Sequence, residues 1–347
     1  MESTEPAGTG TRGRPETSGP SGTGGGGGHP GTGRRVALLG AAVALVAVSV
    51  VVGFRLADAD GPTPVPQALA FLPWLLVPGG AALLLAALAR WRTGMAWAVA
   101  VLALTVWFLR PYGTGATGAH GPVVARLSVL TSNVEFGGAT DSLITAVRRE
   151  RPDVVFVEEC DFRCADALAA RVPRASYPYR DVARLDGSRG SALLSRYPLR
   201  AAGRIDGAMA MPGSVAVVAG RDVRLQLAHP MPPLPGGVGT WRAELGRVRE
   251  FAAEAKGERT VLAGDFNASQ DHAAFRAVLD AGGLHDSARI AGASRTCSWP
   301  ADRTVPLRTQ IDHVLVSDDF AVRSARFLHL DGTDHRALLV ALELHGG

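Results

Sequence analysis

The residues able to do chemistry gather where apolar runs stop. Ser132-Asn133, Glu158-Glu159, His229-Pro230, Gly264-Asp265-Phe266-Asn267, Ile311-Asp312-His313 and Thr333-Asp334-His335 each end or interrupt an apolar, β-rich run. Singly they are ordinary, because Asp and Asn cap helices and shape turns, and Glu158-Glu159 alone reads as a solvated strand edge. Together they offer oxygen ligands for a hard divalent cation in Asn133, Glu159 and Asp334, with titratable groups beside them in His229, Asp265, Asp312 and His335. No His/Cys spacing resembles a zinc site.

Strands must position these groups. Residues 126–133, 154–158, 191–195, 223–229, 260–264, 310–317 and 336–344 read as strands. Between them lie a helix over 141–150, with Thr140 as its candidate cap and Pro152 past its end, and a helical stripe of Trp241, Leu245, Val248, Phe251, Ala252 and Ala255. That stripe is core. The alternation predicts one α/β or α+β domain over residues 123–347, joined by a linker over 111–122 to what precedes it.

Of 347 residues, 47% are hydrophobic, and the surplus is concentrated near the N-terminus. Residues 1–33 hold 12 of the 42 glycines and almost no apolar side chains, so they predict a disordered tail. Residues 34–110 predict a membrane anchor of three transmembrane helices, over 36–54, 68–89 and 94–109, each free of charge. A signal peptide is the alternative for the first stretch, with Ala57-Asp58-Ala59 as a small-x-small cleavage site, but its core is too long. A Tat signal matches only in the pair Arg34-Arg35. Arg34, Arg35, Arg90 and Arg92 place the tail in the cytoplasm, which leaves the large domain outside it.

The net charge of +4 invites a nucleic-acid partner, yet residues 111–347 hold 28 basic against 27 acidic residues. A near-neutral domain without a Lys/Arg-rich run disfavours duplex binding.

The order of the strand-end groups resembles the endonuclease/exonuclease/phosphatase superfamily. That family carries an Asn after its first strand, a Glu ending its second, a mid-chain His, Gly-Asp-x-Asn, an Ile-Asp-His-like strand and a final Ser-Asp-His. Here these are Asn133, Glu159, His229, Gly264-Asp265-Phe266-Asn267, Ile311-Asp312 and Asp334-His335, with Gly190-Ser191-Ala192-Leu193-Leu194-Ser195-Arg196-Tyr197-Pro198 resembling the family's glycine-led strand and turn. Glu158 stands where Gln is usual, Thr333 where Ser is common, and Pro230 follows His229. The resemblance, over about residues 123–344, implies a four-layer αββα sandwich and one or two divalent metals, Mg²⁺ or alternatively Mn²⁺. On this reading Asn133, Glu159 and Asp334 bind metal, Asp265 positions and deprotonates water, Asn267 and His229 donate to phosphoryl oxygens, and Asp312 orients a protonated His335. Arg189 is a candidate substrate contact. His313 is expected in packing or solvent, and His272 and His285 at the surface.

Cys160, Cys164 and Cys297 fall in the outward domain, where a bridge from Cys297 to Cys160 or Cys164 and buried free thiols stay equally open. A tether of about 13 residues spans roughly 45 Å at most, so the site stays near the lipid bilayer. The apolar run Met231-Pro232-Pro233-Leu234-Pro235 follows His229. Three spans before this domain, with His229-Pro230-Met231-Pro232-Pro233, look like the VanJ-type teicoplanin-resistance membrane proteins of actinomycetes. That resemblance implies hydrolysis of an undecaprenyl-linked pyrophosphate or related envelope intermediate. The competing readings are an anchored extracellular nuclease and a non-catalytic module that captures lipid or antibiotic on the same scaffold.

Overall fold

The computed structural model describes residues 31–302 and 304–346. The predicted disordered tail therefore lies outside the described residues up to residue 30, and Thr32 already opens a helix.

Helix α1 (Thr32–Leu56) is the one helix among the described residues long and apolar enough to cross a membrane. The predicted second span is not one helix. It divides into α2 (Val65–Ala70), a 3-10 turn over Leu72–Leu75 and α3 (Leu76–Leu88). Pro66 and Pro73 sit in the first turns of their segments, where a residue without N–H starts a helix more easily than it continues one. With 13 residues, α3 reaches about 20 Å. The third predicted span forms α4 (Arg92–Phe108). Helices α1, α3 and α4 pack through small residues: Ala41, Ala82, Ala86 and Ala98 are fully buried. Larger apolar side chains such as Leu39, Val43, Val77, Leu84 and Trp107 face outward.

The remaining chain is mixed α/β, with elements β1 (Val123–Asn133), α5 (Thr140–Glu150), β2 (Val154–Glu158), α6 (Phe162–Arg171), β3 (Tyr179–Ala183), β4 (Ser191–Ser195), β5 (Leu199–Ala201) and β6 (Gly213–Val218). They continue with β7 (Arg221–Leu227), α7 (Val238–Glu254), β8 (Thr260–Asp265), α8 (Ala273–Gly282), β9 (His285–Asp286), α9 (Ser287–Ile290), β10 (Asp312–Val316), β11 (Phe320–His329) and β12 (Arg336–His345). Two six-stranded sheets form, ordered β11-β12-β1-β2-β4-β3 and β5-β6-β7-β8-β10-β9. Side-chain alternation makes them layers. Val129, Phe156, Leu193 and Val340 of the first sheet join a core with Leu225, Val261 and Val314 of the second, while Val155, Val157, Leu194 and Leu339 turn to α5 and α6. Trp241, Leu245, Val248 and Phe275 cover the second sheet's outer face from α7 and α8. The two-sheet α/β fold is consistent with the sandwich that the resemblance implies, whereas the expected anchor of three spanning helices is not found among the described residues. Thr140 does not cap α5; it lies inside the helix and donates its hydroxyl to the Gly137 carbonyl, while Ala139 holds the cap position.

The helical region and the domain are joined by more than the tether. Asp60 accepts from the Ala273 and Ala274 amides at 2.7 and 3.0 Å, so a residue just past α1 caps α8. Arg295 grips Asp271 with two bonds of 2.6 and 2.8 Å and donates to the Phe108 and Leu109 carbonyls at the end of α4. Asp58 pairs with the buried guanidinium of Arg276.

The cysteines pair as Cys160–Cys164, across the start of α6, and Cys297 is a free thiol. Neither bridge to Cys297 forms. Alkylation without reductant should therefore add one label to the intact mass, at Cys297, and alkylation after reduction should add three. Gly264 has φ +149°, and a Cβ there would lie 2.0 Å from the Ala228 carbonyl oxygen. Gly264→Ala should lower stability by about 2–4 kcal/mol through this clash and the strained backbone, read as a fall in Tm.

Candidate active site

Strand register brings the strand-end groups to one edge of the sandwich. Parallel pairing sets Asn133 beside Glu158 at the ends of β1 and β2, and antiparallel pairing sets Asp265 opposite Asp312. β12 runs antiparallel to β1, so Thr333, Asp334 and His335, just before it, arrive at the same end. Two of the residues that leave these strands are in left-handed backbone: Glu159 at φ +56° and Asn267 at φ +47°. Such conformations cost about 1–3 kcal/mol and persist where surrounding structure enforces them.

The site centres on the Asp265 carboxylate, which is almost fully buried. Its Oδ1 accepts the Asn267 amide at 2.8 Å and its Oδ2 accepts Asn133 Nδ2 at 3.2 Å. His229 Nε2 and His335 Nε2 face the same Oδ2 at 3.8 and 3.7 Å. Burial pushes Asp265 up to about 7, against the pull of His335. His335 is held at Nδ1 by Asp312, 3.0 Å away. Burial opposes its charge, but Asp312 and Asp265 prevail and raise it to about 10, so the ring is an imidazolium at neutral pH. Asp312 is steadied in turn by Ser298, whose hydroxyl oxygen accepts the Ile311 and Asp312 amides.

His229 is the opposite case. Burial lowers it to about 3, so the ring is neutral, and distances of 3.8 and 3.9 Å to Asp265 and Glu159 are too long for hydrogen bonds. Among the described residues neither ring nitrogen has a hydrogen-bond partner. A buried imidazole with both nitrogens unmatched, aimed at two carboxylates, suits a site that receives a polar ligand.

The three predicted metal ligands lie together. Glu159 Oε1 accepts from Asn133 Nδ2 at 3.1 Å and its Oε2 from the Phe136 amide, while Asp334 accepts from Trp299 Nε1 at 2.7 Å. Asn133 turns its carbonyl oxygen to the Glu135 amide and its NH₂ to the two carboxylates. A second arrangement able to hold an ion is Asp265, Asp312 and His335, with one ligand atom from each within 4.8 Å of the others. Glu159 and Asp334 offer hard oxygen donors, whereas the second arrangement offers two carboxylates and an imidazole nitrogen.

Glu158 is fully buried, accepts from Thr131 Oγ1 at 2.8 Å and is pushed by burial up to about 8. Burial outweighs the Thr131 bond, which pulls the other way, and Oε2 has no hydrogen-bond partner among the described residues.

Other candidates fall elsewhere. Arg189 is exposed, and its neighbour Ser188 lines the cavity over the site. His313 packs, bonded to Asp286 at 3.0 Å and set against Phe275. His272 is not at the surface. It is fully buried, accepting the Ser269 amide at Nδ1 and donating from Nε2 to the Pro66 carbonyl. His285 lies near the surface, paired with Asp318. The site depends on three residues that no strand-end pattern singles out: Trp299, Ser298 and Glu135, whose carboxylate accepts the Asp334 amide at 2.8 Å. Only Trp299, an isolated aromatic in a polar loop, carried any signal.

The model of the endonuclease/exonuclease/phosphatase family matches residues 130–335, which span the site from β1 to His335. The chain belongs to that family. Solved relatives share the fold at low identity. TDP2 from D. rerio, complexed with single-strand DNA product, is 19% identical with a TM-score of 0.53, over 63% of this chain and 99% of that one. A family member from Leptotrichia buccalis is 15% identical with a TM-score of 0.51, over 63% and 100%. One from Beutenbergia cavernae is 19% identical with a TM-score of 0.50, over 64% and 72%. No curated protein matches the sequence. Family members are typically phosphoester hydrolases that use a divalent metal, and the site has the groups such chemistry needs.

A raised His335 contributes stability fully below its ordinary value of 6.5 and loses it as pH climbs through about 10. Thermal melts in EDTA should show the largest Tm gap between wild type and His335→Gln near pH 6, closing as the pH nears 10.

Proposed function

We propose that this chain is a membrane-anchored, divalent-metal-dependent hydrolase of phosphate esters whose catalytic domain lies outside the cytoplasm. Its substrate on this reading is a lipid-linked phosphate, such as an undecaprenyl pyrophosphate or a related cell-envelope intermediate, and its removal lowers sensitivity to teicoplanin-type antibiotics. The carrying observation is the buried Asp265 carboxylate ringed by Asn133, His229 and His335, at the floor of an apolar cavity of about 500 Å³.

Asp265, whose value burial lifts to about 7, takes the proton as the water oxygen bonds to phosphorus and the ester P–O bond breaks, the leaving oxygen departing with the bonding pair and taking its proton from solvent. The Asn267 amide fixes the rotation of that carboxylate. Asn267 and the neutral His229 donate to non-bridging oxygens, and His335, oriented by Asp312, places a positive charge beside them. A divalent ion, Mg²⁺ or Mn²⁺, held by Glu159 and Asp334 beside Asn133, supplies Lewis-acid neutralisation of phosphoryl charge when bound. The proton on His335 argues against its serving as a metal ligand.

The outward apolar side chains of α1, α3 and α4 support a bilayer around this bundle, with α1 as the full span. The arginine distribution supports an outward domain, and its near-neutral charge weighs against duplex DNA. A nuclease is the second reading, favoured by the DNA product bound to the TDP2 relative.

Asp265→Asn should keep its Tm and lose at least about 10³-fold in kcat, the scale of a lost general base. EDTA should abolish turnover and Mg²⁺ restore it. On a panel of lipid pyrophosphates, phospholipids and oligonucleotides, phosphate release from lipid pyrophosphate supports the reading. Turnover of oligonucleotides alone assigns a nuclease. Teicoplanin resistance conferred by Asp265→Asn would assign capture instead of catalysis.

A further inference from the structure

We infer that the segment between α1 and α3 is part of the active site: it supplies a substrate-selecting wall, and Phe71 is its specificity-determining residue. The inference rests on the hydrolase reading and adds the element that chooses the substrate.

The cavity above Asp265 has two chemically distinct halves. Its floor carries Glu159, His229, Asp265 and His335, while Phe71, Ala70 and Gln67 line it from the helical region and face Met231, Pro232 and Leu234 from the domain. A free phosphate would leave the apolar half unmatched. An ester whose apolar body begins directly at the phosphate fills both.

The wall is fixed by independent contacts. Asp60 caps α8, His272 donates to the Pro66 carbonyl at 2.8 Å, and Arg242 donates to the Gly61 carbonyl at 2.8 Å. Gln67 Nε2 donates to the Pro233 carbonyl and so ties the segment to the proline-rich loop across the cavity. These bonds hold Phe71 with its ring 6.5 Å from that of Trp299, whose indole N–H reaches Asp334. Phe71 thus stands two contacts from a proposed metal ligand, while the chain beyond it is apolar, the 3-10 turn Leu72–Leu75 running into the apolar helix α3. A substrate chain that leaves the phosphate past Phe71 meets that apolar helix next.

The same contact set predicts which step Phe71 governs. Its ring pairs with Trp299 and lines the apolar side of the cavity, so its loss acts through recognition of the apolar body. The expected loss is about tenfold in kcat/KM, equivalent to about 1.4 kcal/mol.

The test uses the full-length chain reconstituted in phosphatidylcholine vesicles with Mg²⁺. Two probes are compared: a long-chain polyprenyl diphosphate in the vesicles, and water-soluble bis(4-nitrophenyl) phosphate. The readout is the ratio of kcat/KM for the first to that for the second. Phe71→Ala should lower the ratio about tenfold, mainly through KM for the polyprenyl probe, and Phe71→Leu should hold it within about twofold of wild type. An unchanged ratio in Phe71→Ala overturns the inference and leaves the hydrolase reading standing. Wild-type turnover of the soluble ester alone does the same. Turnover of neither probe by the wild type overturns both.

Discussion

A carboxylate taken out of water must be answered by its surroundings, and Asp265 sets that demand for the whole edge of this sandwich. Its two oxygens call on four different strand ends: the Asn267 amide, the Asn133 carboxamide and two imidazoles. Those partners can converge only if the two sheets face each other with their registers fixed as found. Asp312 lies opposite Asp265 across an antiparallel pair, and from there it holds His335 charged. One residue's slip in β8 or β10 would turn Asp265 or Asp312 to the opposite face and dismantle the constellation.

The two histidines show how position alone divides labour between identical side chains. Both are buried at the same edge, within 4 Å of Asp265. Asp312 and Asp265 keep a proton on His335 to about 10, whereas burial, with the His335 charge beside it, lowers His229 to about 3 although Asp265 and Glu159 both face its Nε2. Glu158 is a third variation, an acid made neutral by enclosure between Thr131 and the sheet core. Charge in this site is therefore set by the second neighbour of each group as much as by its own type.

Much of this was legible in the sequence because strands announce themselves by apolar runs and their ends by polar breaks. Residues 154–158 and 191–195 coincide with β2 and β4, and Asn133, Glu159, His229, Asp265, Asp312 and His335 come together at one edge, while His313 turns away into packing. What failed did so for reasons local sequence cannot carry. A lone histidine such as His272 reads as surface until the chain that buries it, more than two hundred residues earlier, is known. The span expected over 68–89 is apolar along its length, yet it breaks at the 3-10 turn that holds Pro73, because hydropathy counts side chains and a helix also needs N–H groups. The cysteine pairing was decided by the turn at Glu159, which brings Cys160 over the first turn of α6, and spacing alone left it open. Trp299 and Ser298 act only through contacts to Asp334, Ile311 and Asp312, so they wait on tertiary structure.

Asp60, at the exit of α1, closes the amino end of α8, and Arg295 spends its remaining donors on the last carbonyls of α4. Each side of this seam thus leaves buried polar groups that only the other side satisfies. Recombination that brought in a different leader or anchor would strand the α8 amides and the Arg295 donors without acceptors. The loop after α1 is in this sense bound to the domain by the polar groups it completes, and a substitution at Asp60 or Arg295 would be felt on both sides of the seam.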